Sequence, residues 1–123
     1  MKKVLIIEDE KIMLDLLVKK LRSHGYKVSS AMDGQEGLRL LKEENNPDLI
    51  LMDLIMPKMD GLSVMKEIQK DEELKKIPLI VISNSGQPVE LDKIKELGAI
   101  DWLIKTEFNP QELLEKIKKQ LGE

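Results

Sequence analysis

Three short runs of apolar residues stand out along the chain, because each is almost uninterrupted and is bounded by charged or turn residues. They cover residues 4–7, 49–52 and 79–82. Strands of a parallel sheet that helices cover on both faces show this pattern. Two weaker runs, residues 27–32 and 100–104, contain more polar positions and are typical of edge strands. The pattern therefore predicts three central strands and two edge strands.

Between the predicted strands, apolar residues recur at the spacing of a helix that packs one face on a core. The ends of two of these helices carry recognisable signals. Asp33 and Glu36 have the spacing of a capping box. Asn109, Pro110 and Glu112 fit the N-cap, the first and the third positions of a last helix. The chain is therefore expected to alternate five strands with five helices.

This alternation predicts an α/β fold with a doubly wound parallel sheet and right-handed crossovers. The first, third and fourth strands are the most apolar, so the order 2-1-3-4-5 is expected, because it leaves the weak strands at the edges. A chain of 123 residues has the length of one domain. Since no linker or repeat interrupts the pattern, residues 1–123 are interpreted as a single domain.

Composition excludes several classes of function. Lys and Arg number 20 and Asp and Glu number 23, for a formal net charge of -3, so direct nucleic-acid binding is not expected. The absence of Cys and the presence of one His exclude disulfides, thiolate metal sites and multi-histidine sites. No apolar run has the length of a membrane span and no signal peptide is recognisable. We expect a cytoplasmic protein that does not bind membranes.

Acidic residues follow two of the central strands. Glu8, Asp9 and Glu10 come directly after the first strand, and Asp53 ends the third. Ligands of open α/β sheets bind beyond the carboxyl ends of the strands, where the strand order reverses, which here lies between the first and third strands. Gathered carboxylates repel one another, and Mg²⁺ relieves this repulsion. Asp9 and Asp53 are the best pair of ligands, with a backbone carbonyl from the following loop as a third.

A hydroxyl and an amine join the same edge of the predicted sheet, since Ser83 ends the fourth strand and Lys105 ends the fifth. Lys105 and a metal would favour a tetrahedral phosphate on Asp53, to which Ser83 could donate a hydrogen bond. This arrangement is typical of phosphoryl transfer to a carboxylate nucleophile. The Gly-rich nucleotide loops, a flavin-phosphate loop and the G-x-S-x-G elbow are absent from the sequence.

Over residues 2–121 the chain resembles the receiver domain of bacterial two-component response regulators, with similarity to chemotaxis response regulators. The most specific match is the D-x-x-M-P-x-M-D-G stretch at residues 53–61. Residues 4–10, 78–83 and 97–99, with Lys105, match in the same order. The resemblance implies a flavodoxin-like three-layer sandwich of five βα units. The chain is interpreted as a single receiver domain with no output domain within it, either a single-domain response regulator or a receiver excised from a longer protein.

The resemblance further implies a function in a two-component phosphorelay. Asp53 would accept a phosphoryl group from a sensor histidine kinase or a phosphotransfer protein, with Mg²⁺ as the cofactor. Asp9 and Asp53 would bind Mg²⁺ directly, as would the backbone carbonyl of Ile55, and Glu8 would bind it through water. The chain would be a signalling receiver and not an enzyme, apart from its own phosphorylation and slow dephosphorylation.

Three further residues take switch positions in this resemblance. Ser83 would be the switch hydroxyl, Lys105 the phosphate partner, and Trp102 the aromatic switch residue, although static packing of Trp102 stays an alternative. Phosphorylation would change the surface of helix 4, strand 5 and helix 5. The altered surface would change the affinity for an unidentified downstream protein, and the chain would be a monomer or a phosphorylation-dependent dimer.

Four residues depart from the family pattern or modulate it. Thr106 stands where the family places a proline, usually with a cis bond, so a trans bond or a reshaped loop is expected. Asn84 stands where a small residue is common and would narrow the phosphate entrance or donate a hydrogen bond. Ile55 and Ser85 occupy positions that influence the hydrolytic water. Because the Ile55 side chain cannot orient water, we expect slow self-dephosphorylation.

Two other interpretations remain open. A Mg²⁺-dependent phosphohydrolase with an aspartyl nucleophile needs an acid two residues after that nucleophile, where this chain has Ile55, and usually a cap domain. A receiver that serves only as a scaffold is the other alternative. Thr106 and Asn84 favour it, whereas the intact acidic pocket argues against it.

Overall fold

The structure, a computed structural model, describes residues 2–43, 46–84, 88–107 and 109–123, in which strands and helices alternate. The strands are β1 (Lys3–Ile7), β2 (Lys27–Ala31), β3 (Leu49–Asp53), β4 (Leu79–Ser83) and β5 (Asp101–Ile104). The helices are α1 (Lys11–Ser23), α2 (Gly34–Lys42), α3 (Gly61–Gln69), α4 (Pro88–Glu96) and α5 (Pro110–Leu121), with a short 3-10 helix at Leu74–Lys76. The predicted alternation is confirmed.

The five strands form one parallel sheet in the order β2-β1-β3-β4-β5. The predicted order is therefore confirmed, with the two weak strands at the edges. The register determines which strand ends meet. Ile7 pairs with Met52, so the residue that follows β1 lies beside Asp53, the last residue of β3. Ser83 likewise pairs with Ile104, which brings Lys105 next to the end of β4.

Both faces of the sheet are covered, as in a three-layer sandwich. Side chains alternate along each strand, so successive residues enter different cores. The first core includes Leu5, Ile7, Ile50, Met52 and Val81 from the sheet and Leu41, Val64, Met65, Ile68 and Ile94 from α2, α3 and α4. The second core includes Val4, Ile6, Leu49, Leu51, Ile80 and Ile82 from the sheet and Leu14, Leu17, Leu113, Leu114 and Ile117 from α1 and α5. Since each buried aliphatic side chain contributes about 1.5–3 kcal/mol, these two cores stabilise the fold.

Side-chain caps begin two of the helices as the sequence predicts. The carboxylate of Asp33 accepts the Glu36 backbone N–H at 2.8 Å, and the amide oxygen of Asn109 accepts the Glu112 backbone N–H at 2.8 Å. The Glu36 carboxylate accepts a hydrogen bond from Arg39 at 2.8 Å and not from the Asp33 backbone N–H, so only one half of the predicted capping box is formed. An unpredicted cap, Asp60, begins α3. Each cap contributes about 1 kcal/mol.

The edge strands are one residue shorter than predicted. β2 ends at residue 31 and β5 begins at residue 101, while Met32 and Ile100 are each 43% exposed. β3 and β4 end at Asp53 and Ser83 as predicted, one polar residue beyond each apolar run, and both of these residues are buried. Hydrogen bonding within the sheet thus places two polar side chains at the rim of the core. Within the described part of the chain, no helix has the length and apolar character needed to cross a membrane.

Candidate functional site

Four acidic side chains meet at the carboxyl ends of β1 and β3. Glu8, Asp9, Glu10 and Asp53 each have a carboxylate oxygen, and these oxygens all lie within 4.8 Å of one another. Glu8 and Asp53 are buried, with exposed fractions of 1% and 2%, whereas Asp9 is half-buried and Glu10 is exposed. The prediction that Asp9 and Asp53 lie close together is confirmed, and so is the placement of the cluster where the strand order reverses.

The loop after β3 holds Asp53 in place through tight backbone contacts. The Gly61 N–H donates to the Leu54 carbonyl at 2.7 Å. A Cβ atom at position 61 would lie 2.6 Å from the Asp53 carbonyl oxygen, which is closer than real Cβ atoms approach. Asp60 accepts the Ser63 backbone N–H at 2.8 Å and begins α3. The Asp-Gly pair of the D-x-x-M-P-x-M-D-G stretch therefore folds the loop back onto the end of the strand.

One lysine ammonium bridges three of the carboxylates. The Lys105 Nζ lies 2.7 Å from Glu8 Oε1, 2.7 Å from Glu10 Oε1 and 2.9 Å from Asp53 Oδ2. The backbone N–H of Lys105 donates to the Ser83 carbonyl at 2.7 Å, which fixes the start of the side chain. Lys105 is therefore placed at the cluster as predicted, and Glu10 is a third partner that the sequence did not indicate.

Burial dominates the electrostatics of the cluster. It raises the pKa of Glu8 to about 7, the charge of Asp53 adds to that rise, and the hydrogen bond from Lys105 opposes it. Burial also raises the pKa of Asp53, against the hydrogen bond from Lys105. Burial lowers the pKa of Lys105, but its hydrogen bonds to Glu10, Glu8 and Asp53 outweigh this effect and raise the pKa above its usual value. The single ammonium of Lys105 therefore does not offset the free-energy cost of burying two ionised carboxylates.

Two buried carboxylate oxygens of the cluster lack a hydrogen-bond donor within the part of the chain that the structure describes. Among the described residues, Glu8 Oε2 and Asp53 Oδ1 are buried and accept no hydrogen bond. A buried polar atom without a partner costs about 1–3 kcal/mol, and a charged one costs more. A divalent cation with oxygen ligands supplies that interaction. The donor set and the two unpartnered oxygens therefore fit Mg²⁺.

The hydroxyl of Ser83 is directed to a helix. Ser83 is buried at the end of β4, and its Oγ donates to Glu90 Oε1 of α4 at 2.6 Å. Nothing in the sequence pattern pairs these two residues, because the contact depends on a side-chain torsion and on how the first turn of α4 packs. Glu90 is therefore a residue of this region that the sequence did not indicate.

The other predicted modulating residues lie around the rim. Ile55 is 70% exposed, and Asn84 and Thr106 are exposed. Within the described ranges the peptide bonds are trans, which includes the bond between Lys105 and Thr106. The trans alternative expected at this bond is thus the one observed. Ser85 lies outside the described residues.

Trp102 is half-buried on β5 and packs against the core that contains α4. The Lys95 Nζ lies 5.2 Å from the centre of its ring, a cation–π distance. On the neighbouring position, Asp101 accepts hydrogen bonds from the Lys116 ammonium at 2.9 and 3.0 Å. These contacts connect β5 to α4 on one side and to α5 on the other.

Comparisons with known proteins identify the family and several similar proteins. The family model described as "Response regulator receiver domain" matches residues 4–118. The chain is 39% identical over 119 residues to the "Probable transcriptional regulator ycf27" of Guillardia theta. That alignment covers 97% of this chain and 45% of the relative, so the chain spans about half the length of the curated relative that it matches.

Two solved structures are similar over nearly the whole chain. The chemotaxis response regulator CheY4 of Vibrio cholerae has a TM-score of 0.89 and 30% identity, covering 98% of this chain and 99% of its own. The receiver domain of the sensor histidine kinase PA1611 from Pseudomonas aeruginosa PAO1 has a TM-score of 0.88 and 29% identity, covering 99% and 98%. The latter structure has a magnesium ion coordinated in its active-site cleft. The resemblance and the fold expected from it are confirmed.

Proposed function

The chain belongs to the response regulator receiver domain family, and on that basis we propose that it accepts a phosphoryl group on Asp53 in a Mg²⁺-dependent reaction. The observation that carries this proposal is the cluster itself. The buried Asp53 carboxylate lies 2.9 Å from the Lys105 ammonium, among three further carboxylates. A nucleophilic carboxylate, a fixed cation and oxygen ligands for a metal are the groups that phosphoryl transfer needs.

Asp53 would serve both as the nucleophile and as a metal ligand, and Asp9 and Glu8 would serve only the metal. Asp9, Asp53 and the backbone carbonyl of Ile55 would hold Mg²⁺ directly, and Glu8 would hold it through water. When bound, Mg²⁺ neutralises negative charge on the transferred phosphoryl oxygens. The burial of Glu8 and Asp53 supports this assignment, because a buried pair of carboxylates is stabilised by a cation that a solvated pair does not need.

The transfer step itself uses Asp53. One of its carboxylate oxygens attacks the phosphorus of a phosphohistidine while the phosphorus–nitrogen bond breaks. The bonding electron pair stays on the imidazole nitrogen, and net uptake of one proton from the solvent makes the released imidazole neutral. The phosphoryl donor is a sensor histidine kinase or a phosphotransfer protein.

Lys105 provides the positive charge that remains in place through the transfer. Its Nζ already contacts Asp53 Oδ2, so a phosphoryl group on Asp53 would receive this ammonium at hydrogen-bond distance. The contacts with Glu8 and Glu10 hold the ammonium near the carboxylate before the reaction. A preorganised cation needs no rearrangement when charge develops on the phosphoryl oxygens.

The output is a change in protein binding. Phosphorylation of Asp53 draws the Ser83 hydroxyl toward the phosphoryl group, and the region around Trp102 repacks. The surface of α4, β5 and α5 then has a changed affinity for a downstream protein, with the chain as a monomer or a phosphorylation-dependent dimer. The chain acts in the cytoplasm and contacts neither nucleic acid nor membrane directly.

The chain is not an enzyme that turns over an external substrate. Its chemistry is limited to its own phosphorylation and slow dephosphorylation, because the Ile55 side chain offers no group to orient water. Ile55 is 70% exposed at the rim of the cluster. Assays against small phosphoesters test this statement, and sustained turnover would favour the phosphohydrolase alternative.

The experiment that tests the proposal is labelling with acetyl phosphate. The wild-type protein should gain one phosphoryl group by intact-mass spectrometry with Mg²⁺ and none with EDTA. Asp53→Asn should gain none, whereas Asp15→Asn, at a position whose side chain is 64% exposed on α1, should label like the wild type. Labelling of Asp53→Asn at the wild-type level would overturn the proposal.

A further inference from the structure

We propose that Glu90 is a positioning residue that holds the Ser83 hydroxyl in its resting orientation. Glu90 and a phosphoryl group on Asp53 then compete for the one hydrogen bond that this hydroxyl can donate. This inference rests on the proposed function, since it concerns how readily Ser83 is drawn to the phosphoryl group. Glu90 never contacts the reacting atoms and acts only through Ser83.

The contact between these residues is short and charge-assisted. Ser83 Oγ donates to Glu90 Oε1 at 2.6 Å, and Ser83 is 2% exposed. Hydrogen bonds from a hydroxyl to a carboxylate at this distance are roughly twice as strong as neutral ones. A serine hydroxyl has one proton to donate, so it serves one acceptor at a time as a donor. Glu90 therefore holds the donor that a phosphoryl oxygen would need.

Ser83 lies on the strand next to that of Asp53, so the competition involves neighbouring groups. Asp53 pairs with Ile82, so Ser83 is one residue further along the adjacent strand, toward the acidic cluster. One torsion about the Cα–Cβ bond determines where its Oγ lies. The hydroxyl can therefore exchange acceptors without movement of β4. This exchange of acceptor affects Glu90, because the Glu90 carboxylate loses a hydrogen-bond donor and the phosphoryl group adds negative charge nearby.

The helix that holds Glu90 also contacts Trp102 of β5, so this tryptophan can report on a change in α4. Glu90 lies in the first turn of α4, where it lines a cleft of about 390 Å³ together with the exposed Ile55. Lys95, in the last turn of the same helix, lies over the ring of Trp102. The chain has one tryptophan, so its fluorescence reports on the contact between α4 and β5.

The test is a titration with beryllofluoride in the presence of Mg²⁺, followed by ¹⁹F NMR of the bound species and by Trp102 fluorescence. Glu90→Ala should bind beryllofluoride roughly tenfold more tightly than the wild type, because the resting acceptor has been removed. Glu90→Gln keeps an acceptor oxygen without the charge and should give a smaller gain. Glu96→Ala, an exposed acid on the same helix, should leave the affinity unchanged.

A double-mutant cycle separates positioning from a general effect on α4. In the Ser83→Ala background the hydroxyl is absent, so adding Glu90→Ala should not change the affinity further. An equal gain in both backgrounds, or wild-type affinity for Glu90→Ala, would overturn the inference while leaving the proposed function intact. Failure of the wild type to bind beryllofluoride, or equal binding by Asp53→Asn, would overturn both.

Discussion

Replacement of Glu8 by glutamine should stabilise the metal-free protein and remove part of its pH dependence. Burial raises the pKa of Glu8 from 4.5 to about 7, so the ionised carboxylate is less favourable in the folded chain than in the unfolded chain. At 1.36 kcal/mol per unit of pKa, ionisation of this one side chain costs about 3 kcal/mol above pH 8. This is a large share of the 5–15 kcal/mol that stabilises a typical domain.

The sign follows from the direction of the shift. Because the folded pKa is raised, the contribution of Glu8 to stability is fully present below pH 4.5 and is lost as the pH rises through about 7. Glu8→Gln stays neutral, and its amide oxygen can still accept the hydrogen bond from Lys105. The difference in unfolding free energy between the variant and the wild type should therefore be small at pH 4.5 and reach about 3 kcal/mol at pH 8.

Urea unfolding in EDTA, followed by circular dichroism across this pH range, measures the difference. Glu10→Gln is the matched control, because the Glu10 side chain is 58% exposed and its removal should change stability by less than about 1 kcal/mol. Mg²⁺ should reduce the difference in unfolding free energy between Glu8→Gln and the wild type. A ligand at a hundred times its dissociation constant adds about 2.7 kcal/mol to the unfolding free energy of the protein that binds it. A Glu8→Gln variant that is less stable than the wild type at pH 8 would refute the reasoning.

Two further predictions concern the loop after β3 and the chain terminus. Gly61→Ala places a Cβ atom 2.6 Å from a backbone carbonyl oxygen, so it should lower the unfolding free energy by about 2 kcal/mol or more. It should also lower the rate of labelling by acetyl phosphate. Unchanged urea midpoints and labelling rates would contradict the contact. The pKa of Tyr26, the one tyrosine, is raised to about 12 by burial and by its hydrogen bond to Glu123, so ultraviolet absorbance should titrate near pH 12, and lower in Glu123→Gln. Titration of the folded wild type near pH 10, the ordinary value, would contradict this contact.

Much of the fold follows from the hydrophobic pattern because the central strands are buried on both faces. In β3 and β4 every residue is buried, so the pattern contains few interruptions that could be misinterpreted. The edges are less determined. Met32 and Ile100 extend apolar runs by one residue, yet each is 43% exposed beyond its strand, because hydrophobicity alone does not define where hydrogen bonding between strands ends.

The candidate site could be located from the sequence because its residues follow directly from strand ends. Asp53 and Ser83 are the last residues of parallel neighbours, so topology alone brings them to one edge. Contacts that depend on side-chain torsions were beyond that reasoning. The hydrogen bond of Ser83 to Glu90 and the contact of Lys105 with Glu10 join chain segments through flexible side chains, whose positions no spacing rule determines.

Chemical identification of the modified residue tests the central claim most directly. Borohydride reduces an aspartyl phosphate to homoserine, which peptide mass spectrometry locates to a single position. After treatment with acetyl phosphate and Mg²⁺ followed by borohydride, homoserine should be found at position 53 and should be absent when EDTA replaces Mg²⁺. Homoserine at Asp9 in place of Asp53, or at position 53 without Mg²⁺, would contradict the account.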